Sequence, residues 1–424
     1  MTPTEPTTQD ALPELDPAQK RRFVILALVL ILVVPLLIAE VAVRSLFRYN
    51  TPDTLRAASL QYLPSTVSRH RLAPNQEVYP DRGWGDATVD DSASERVYRT
   101  NALGYRGPEV TMPKPDGTCR LVVLGGSAVF DIGASEGSDW PRQLEARLAE
   151  RWGTTVVVVN AGVPGHSSSD AVGKLRAQLW MAEPDGVVLY NAWNDIKTFR
   201  QIAADRPLIA LTEPFDPKAD PFQNYRGPVD RLLGHSQVYI KLRNRFLLWR
   251  YDVGLEGRRE QQELADSFSE LGVEQYRLNI EAVVALARAG GATPILATQA
   301  SLLAADTPEA LRSKIAYDYQ GLEHDALVRA MDTCNTTVRT VATQHQALLV
   351  DLATTLAGRS ELFDDHVHTN AEGSAALAET LAVALGPHEA QICGAAAEES
   401  SELNGESTTA STTTSSAPAS PPSP

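Results

Sequence analysis

The sequence lacks the features of a nucleic-acid-binding protein. Its 424 residues carry a formal net charge of −15, and no long run of Lys or Arg occurs in the chain. Because nucleic-acid binding requires clustered cations that neutralise phosphates, we exclude this class of partner. The composition is otherwise ordinary, with 43% apolar and 21% charged residues, so a sizeable core can form.

Cysteine is scarce. The three cysteines, Cys119, Cys334 and Cys393, are far apart, and none belongs to a CxxC pair. A structural zinc site needs about four closely spaced ligands, so this class of site is excluded. One disulfide with one free thiol, or three unpaired thiols, both remain open, and the cysteine count does not identify the redox compartment.

One long apolar run stands near the N-terminus. Phe23 to Ala39 contains no charged or strongly polar residue, and the run resumes after Glu40 as far as Val43. A bilayer is crossed by about 17–25 such residues in a helix. We predict an uncleaved anchor over residues 20–47 that contacts the membrane through residues 23–43. A signal peptide and a buried helix are the alternatives, but the run exceeds the usual ~7–15-residue signal core.

The orientation of this anchor is predicted from the charges beside it. Lys20, Arg21 and Arg22 abut the run on a short N-terminal tail, and arginines also follow it. The two counts are nearly equal, but the first group lies tighter against the helix. We therefore expect a single-pass protein whose large domain lies outside the cytoplasm.

Composition divides the rest of the chain. Residues 1–19 are polar and are expected to be a disordered tail, and residues 48–118 form a juxtamembrane region. Residues 119–390 are predicted to be the main folded domain. Residues 395–424, rich in Ser, Thr and Pro, are expected to be a second disordered tail.

The middle of the chain alternates short apolar runs with longer amphipathic ones. Short runs rich in β-branched residues are typical of strands buried on both faces of a parallel sheet. The expected strands are Arg120 to Gly125, Thr155 to Asn160, Gly186 to Asn191, Thr293 to Thr298 and Ala347 to Leu352, and the main expected helices are Trp140 to Trp152, 169–182, 274–290, 320–345 and 371–385. This alternation predicts an α/β fold, a three-layer α/β/α sandwich with a five-stranded parallel sheet, plus the one N-terminal transmembrane helix.

Ligands of such sheets bind at the carboxyl ends of the strands, and the loops there carry chemistry. Ser127 follows the first strand and two glycines, and Asn194 follows the third strand. Asp365 and His368 are three residues apart, so one turn can bring the carboxylate to the imidazole. Acyl transfer needs a serine, a base with a carboxylate partner, and donors for an oxyanion, and Gly165 with Asn194 can supply the donors.

Four loops resemble the sequence blocks of the SGNH (GDSL-like) serine esterases, in their usual order. These are GGSAVF at Ser127, NAGVPGHSS at Gly165, NAWND at Asn194 and DHVH at Asp365 to His368. The resemblance covers about residues 119–386 and implies a flavodoxin-like strand order. It implies that Ser127 is the nucleophile, His368 the base and Asp365 its partner. It also implies an oxyanion hole formed by Ser127, Gly165 and Asn194.

The sequence departs from the family pattern in places. Gly126 stands where the GDSL signature has Asp, and Trp193 stands where glycine-rich sequence is common. We expect Trp193 and His166 to line the substrate pocket. The connection over 199–274 is long, and its proline-rich part, 207–228, is a predicted lid or substrate wall. The run from Tyr98 to Glu109, YRTNALGYRGPE, resembles a segment of membrane-anchored relatives, without a role that we can predict.

Simpler explanations compete for each residue. Ser127 alone could be an ordinary turn serine, and Asp195 is expected to cap the helix that follows it. His366 and His368, with a nearby aspartate and His166, could bind a metal, but only His166 offers a ligand from another loop. Glycine motifs that bind phosphate, G-x-x-x-x-G-K-[ST] or G-x-G-x-x-G, are absent. We therefore expect neither a metal nor a cofactor.

The predicted function is hydrolysis of a carboxylic ester, with an acetyl or other short acyl group, through an acyl-enzyme on Ser127. The substrate would be a small acyl ester or an acylated glycan. A second hypothesis keeps the site but passes an acetyl group onto or off a cell-envelope glycan. A third, of another class, is an inactive protein that binds a glycan or a lipid.

Overall fold

The computed structural model of the protein describes residues 16–46, 60–80, 96–203, 228–243 and 263–394, together with positions 245, 246 and 249. Residues 1–15 and 395–424, which hold most of the predicted disordered tails, lie outside the described residues. The same applies to the predicted lid over 207–228, except for its last residue.

The apolar run forms one long helix, α1 (Pro17–Leu46), which contains a single π-helical stretch, Val29–Val33. None of its most apolar window is buried against the rest of the protein. A helix of this length and composition can cross a membrane, as the sequence predicted, and signal sequences share these properties.

Two small antiparallel ribbons follow in the predicted juxtamembrane region, 48–118. β1 (Tyr62–Pro64) pairs with β2 (His70–Leu72), and β3 (Glu77–Val78) pairs with β4 (Tyr98–Arg99). Their apolar side chains, among them Leu72, pack against Phe130 and Val163, which follow the first two strands of the main sheet in the chain.

The main sheet has five parallel strands, as the sequence predicted. In chain order they are β5 (Thr118–Gly125), β6 (Thr155–Asn160), β7 (Gly186–Tyr190), β8 (Thr293–Ala297) and β9 (Leu348–Val350). The order across the sheet is β6-β5-β7-β8-β9, so the first strand lies inside the sheet and the second at its edge. This flavodoxin-like order confirms the fold that the resemblance implied.

Helices connect and cover the strands. The α-helices of known bounds after α1 are α2 (Ser127–Phe130), α3 (Trp140–Trp152), α4 (Ser168–Ala177), α5 (Trp193–Ala203), α6 (Pro228–Leu233), α7 (Glu270–Ala289), α8 (Glu309–Arg312), α9 (Tyr317–Gln320), α10 (His324–Gln344), α11 (Leu352–Thr355), α12 (Ala371–Leu385) and α13 (Glu389–Cys393). Three short 3₁₀ segments are Leu179–Ala182, Ser360–Leu362 and Gly386–His388.

The alternation of side chains along the strands creates the two cores. In β5, Val122 and Leu124 pack with α4, α5, α7 and α10, whereas Leu121 and Val123 pack with α3, α12 and α13. All four side chains are fully buried. Both faces of the sheet are therefore covered, which explains why the strands are almost continuously apolar.

Arg106, from the YRTNALGYRGPE segment, is buried beneath the first loop of the sheet. Its guanidinium donates hydrogen bonds of 2.7 and 2.6 Å to the carbonyls of Phe130 and Asp131, and of 2.8 Å to that of Ala134. These carbonyls end and follow α2, where helix carbonyls lack partners within the helix. The segment therefore fixes the end of the helix that begins at Ser127.

A disulfide joins Cys119 in β5 to Cys393 in α13, and Cys334 is free and buried. This pairing settles the alternatives that the sequence left open. The closed loop spans 274 positions of the sequence and contains most of the main sheet. A cross-link over so long a loop restricts the unfolded chain.

We expect the double substitution Cys119→Ser and Cys393→Ser to lower the free energy of unfolding by about 2–4 kcal/mol. The measurement is the midpoint of thermal or denaturant unfolding in one detergent buffer. Reductant should cause a similar loss in the wild-type protein and none in the double variant. A wild-type midpoint that reductant does not change would contradict the pairing.

Candidate active site

Ser127 is the first residue of α2, directly after the carboxyl end of β5. The backbone before it passes through a narrow space. A Cβ atom at Gly125 would lie 2.3 Å from the carbonyl oxygen of Tyr190, and one at Gly126 would lie 2.5 Å from the Asn194 amide nitrogen. A side chain at Gly125 would therefore collide with backbone, and one at Gly126 would require the Asn194 side chain to shift.

A continuous hydrogen-bonded relay connects the three residues that the sequence predicted. His368 Nε2 lies 2.6 Å from Ser127 Oγ, and His368 Nδ1 lies 2.6 Å from Asp365 Oδ2. The other carboxylate oxygen of Asp365 accepts the backbone N–H groups of Val367 and His368, each at 2.9 Å. The three-residue spacing thus forms one tight turn, which orients the imidazole towards the serine.

The charge state of Asp365 suits this arrangement. Partial burial raises the pKa of its carboxyl group, but the hydrogen bond and charge of His368 lower it by more, so that the pKa lies well below its usual range. The carboxylate therefore stays ionised at neutral pH and can stabilise an imidazolium beside it.

Donors converge beside Ser127 from two further loops. Asn194, at the start of α5, donates from Nδ2 to the carbonyl of His166 at 2.9 Å, which leaves the second amide hydrogen for a ligand. Gly165 has a φ of +86°, in the left-handed region that favours glycine. Within the described residues, the N–H groups of Ser127 and Gly165 have no acceptor. All the predicted oxyanion-hole residues thus lie at one edge of the sheet.

The loop with Gly165 is held in place by the ribbon of β1 and β2. His70 of β2 donates from Nε2 to the carbonyl of Pro164 at 2.9 Å, and His166 Nε2 donates to the carbonyl of His70 at 2.8 Å. Burial lowers the pKa of His166, which keeps its ring neutral. The His166 ring is thus buried and engaged with β2, and its predicted place in the substrate pocket stays a prediction.

Asp195 joins the loops after β6 and β7. Its carboxylate accepts the N–H of Ser168 at 3.0 Å and the Ser168 hydroxyl at 2.6 Å. It therefore holds the start of α4, whereas the sequence suggested that it would cap its own helix, α5. Asp195 reaches Ser168, although it is distant in sequence, because the loops after β6 and β7 lie at the same edge of the sheet.

Aromatic rings form a wall beside Asn194. Trp193 packs between His366, at 4.0 Å between ring centroids, and Tyr319, whose ring is parallel at 6.4 Å. The Tyr319 hydroxyl donates to Asn194 Oδ1 at 3.3 Å, and Lys197 Nζ lies 4.5 Å from the Tyr319 ring centroid. Trp193 is nearly buried, so it supports the wall, and its predicted contact with substrate stays a prediction.

Sequence reasoning missed Tyr319, His70 and Gln299. Gln299 follows β8 and accepts the N–H of Trp193 at 2.8 Å, so the rule that polar residues follow strand ends would have pointed to it. No such signal exists for Tyr319 or His70, which reach the site from outside the sheet. His366 and His368 do not form a metal site with a third side chain: no group of three or more His, Cys, Asp or Glu among the described residues is arranged to hold an ion.

Residues 123–376 match the profile of the GDSL-like lipase/acylhydrolase family. The chain belongs to this family. It is therefore an ester hydrolase of the SGNH/GDSL type, and the matched range includes every residue of the relay and of the predicted oxyanion hole. No curated protein matches the sequence significantly.

Solved structures of GDSL-type and other esterases are similar to this chain at low identity. The lipase/acylhydrolase from Enterococcus faecalis is 14% identical, with 64% of this chain and 96% of that chain covered and a TM-score of 0.38. The acetylxylan esterase from Geobacillus stearothermophilus is 16% identical, with 63% and 94% covered and a TM-score of 0.37. Identities this low carry no information about the substrate of this GDSL-like hydrolase.

We expect Tyr319→Phe to lower kcat/KM by about 2–10-fold, because one neutral hydrogen bond that orients the Asn194 amide is lost. The measurement is steady-state hydrolysis of a short nitrophenyl ester. Tyr317→Phe is the matched control, because the Tyr317 hydroxyl bonds to His324 instead and belongs to the same short helix. Equal effects of the two substitutions would count against the role of Tyr319.

We expect Asp195→Asn to change the pH dependence of stability. Burial raises the pKa of Asp195 from 3.8 to about 7, so unfolding releases a proton between these values and wild-type stability falls as pH rises through them. Asparagine does not ionise. The unfolding midpoint of the variant, relative to wild type, should therefore rise between pH 4 and pH 7. Asn191→Ala, at a buried neutral neighbour, should change the unfolding midpoint by an amount that does not depend on pH. If the midpoint of Asp195→Asn also differed from that of the wild type by a constant amount, the prediction would be contradicted.

Proposed function

We propose that the protein is a membrane-anchored serine esterase that hydrolyses short acyl esters through an acyl-enzyme on Ser127. The observation that carries this proposal is the continuous relay from Asp365 through His368 to Ser127, with both contacts at 2.6 Å. The relay lies beside unpaired backbone donors and the Asn194 amide, which is the arrangement that acyl transfer requires.

In the proposed reaction, Ser127 Oγ attacks the ester carbonyl while its proton passes to His368 Nε2. The negative charge on the carbonyl oxygen is stabilised by the N–H groups of Ser127 and Gly165 and by Asn194 Nδ2. The imidazolium, stabilised by Asp365, gives its proton to the leaving alcohol, and an acyl ester of Ser127 remains. Water, deprotonated by His368, then attacks this ester, releases the acid and restores the hydroxyl.

The wall beside Asn194 supports a polar substrate with a short acyl group. Trp193 and His366 fill the space on one side of the amide with packed rings, and Tyr319, 38% exposed, adds an aromatic face and a hydroxyl. Lys197 adds a positive charge near that face. An acetylated glycan fits this combination of ring, hydroxyl and cation better than a long lipid chain does.

We propose that the catalytic domain, residues 119–390, lies outside the cytoplasm and is held there by α1. Two observations support this location. The Cys119–Cys393 disulfide is typical of oxidising compartments. The folded part of the chain also bonds to the end of α1, where Glu40 accepts the Ser236 hydroxyl. Such a contact suits an anchor that is retained better than a signal that is cleaved.

The test is the Ser127→Ala variant of the full chain. We expect its kcat/KM on nitrophenyl acetate to fall by about 10⁴-fold or more, because the acyl-enzyme cannot form. A fluorophosphonate probe should label the wild-type protein and not the variant. Ser138→Ala, which removes an exposed hydroxyl in the loop before α3, is the matched control and should keep full activity. Full activity of Ser127→Ala would overturn the mechanism.

The same preparation tests the acceptor and the chain length. Nitrophenyl acetate should be cleaved faster than the octanoate ester, and free acid should be released equally with and without an added glycan. Acetylation of the glycan at the expense of free acid would show transfer, because both reactions share the acyl-enzyme. Neither labelling nor turnover in the wild-type protein would favour a binding protein.

A further inference from the structure

Glu40 interrupts the apolar run of α1, and neither the predicted anchor nor the proposed chemistry explains it. Its carboxylate accepts four hydrogen bonds. Oε1 accepts from Arg44 Nε at 2.7 Å and from the N–H of Gln237 at 2.8 Å. Oε2 accepts from the Ser236 hydroxyl at 2.9 Å and from the N–H of Val238 at 3.0 Å. A carboxylate has about four acceptor sites, so all of them are used.

The partners of Glu40 other than Arg44 lie at the start of a second helical segment, residues 237–243, and Ser236 directly precedes that segment. Ser236 Oγ also accepts the N–H of Tyr239 at 3.1 Å, as the cap of that segment. Arg44 Nη2 donates to the carbonyl of His235 at 2.9 Å. One turn of α1 thus binds the backbone at the start of the second segment. The free N–H groups at the start of a helix favour a negative charge such as that of Glu40.

The described residues between 228 and 249 expose many large apolar side chains. We call these the apolar patch: Val229, Leu232, Leu233, Leu242, Phe246 and Trp249. Within each half the spacing is that of one helix face, 229, 232 and 233 in α6 and then 242, 246 and 249. Leu232 is 79% exposed, Leu242 65% and Trp249 59%.

Other side chains of the same two segments make polar contacts with one another. Asp230 pairs with Arg243 at 2.7 Å and accepts the Tyr239 hydroxyl at 2.8 Å, which joins α6 to the second segment. Ile240 is fully buried. The two segments are therefore joined by polar contacts, whereas the side chains of the apolar patch are exposed on both of them.

The position of Glu40 indicates what covers the apolar patch. Phe23 to Ala39 spans about 26 Å as a helix, close to the hydrocarbon thickness of a bilayer, so Glu40 falls at the boundary with the headgroups. A segment that bonds to Glu40 starts at the same depth. Helices with one apolar and one polar face lie at that depth in the plane of a membrane.

We propose that the described residues between 228 and 249 form an in-plane membrane-binding element, docked on α1 by Glu40, whose apolar patch inserts into the lipid. The proposal rests on the membrane span proposed for α1 and does not depend on the catalytic assignments. The element follows α5, which carries Asn194, and precedes α7.

The test places single spin labels on the full-length protein in vesicles of phosphatidylethanolamine and phosphatidylglycerol. The native cysteines are either in the disulfide or buried, so an introduced cysteine is the reactive one. Leu232→Cys and Leu242→Cys probe the apolar patch. Ile31→Cys, within α1, is the lipid reference. Val383→Cys, 55% exposed on α12, is the aqueous control. α12 packs on one face of the sheet, whereas α5 and α7, which precede and follow the element in the chain, pack on the opposite face.

We expect labels at 232 and 242 to be severalfold more accessible to oxygen, relative to a water-soluble nickel complex, than the label at 383. They should be shallower than the label at 31. Labels at 232 and 242 that are as exposed to nickel as the label at 383 would overturn the proposal. Strong spin–spin broadening without lipid contact would also overturn it, because a second copy of the chain would then cover the patch.

The docking role of Glu40 has its own readout. We expect Glu40→Ala to reduce the depth of the label at 242 while leaving the label at 383 and the hydrolysis of soluble nitrophenyl acetate unchanged. Glu372→Ala, at an exposed position of α12, is the matched control and should leave the depth at 242 unchanged. An unchanged depth at 242 in Glu40→Ala would show that Glu40 does not dock the element.

Discussion

The hydrogen bond between His368 and Ser127 joins residues 241 positions apart in the sequence. The surrounding structure must therefore hold both residues in fixed positions. On the serine side, Arg106 binds the carbonyls that follow α2. Between the two sides, Asp131 accepts hydrogen bonds from the N–H of Trp140 at 2.8 Å and from the Ser374 hydroxyl at 2.9 Å. The loop after α2 is thereby tied to α3 and to α12, which directly follows the turn of His368.

The side of the site that carries Gly165 and Asn194 is organised by a separate set of buried polar contacts. Asp195 ties the start of α4 to the start of α5, and His70 and His166 tie the Gly165 loop to β2. In a low-dielectric interior such contacts are stable only when each group has its partner. The ribbon of β1 and β2 thus contributes to the geometry of the site, although it precedes the range that matches the family.

The five strands of the sheet could be predicted from local sequence for a physical reason, and the family resemblance supplied their order. Buried parallel strands read as short β-branched runs, and the residues that follow them meet at one edge, so Ser127, Gly165 and Asn194 could be placed from local sequence. Arg106, Tyr319 and Glu40 could not be assigned roles, because their partners lie far away in the chain. Asp195 shows the same limit: local pattern suggested a cap of α5, whereas the tertiary contact is with Ser168 of α4.

The Cys119–Cys393 bond has a consequence for the integrity of the enzyme. Ser127, Asn194, Asp365 and His368 all lie between the two cysteines, so a protease that cuts once between those cysteines produces two fragments that stay covalently joined. If the cut falls between Ser127 and His368, the fragment with Ser127 cannot diffuse away from the fragment with His368. A nicked molecule would therefore keep both parts of the site in one particle until the bond is reduced.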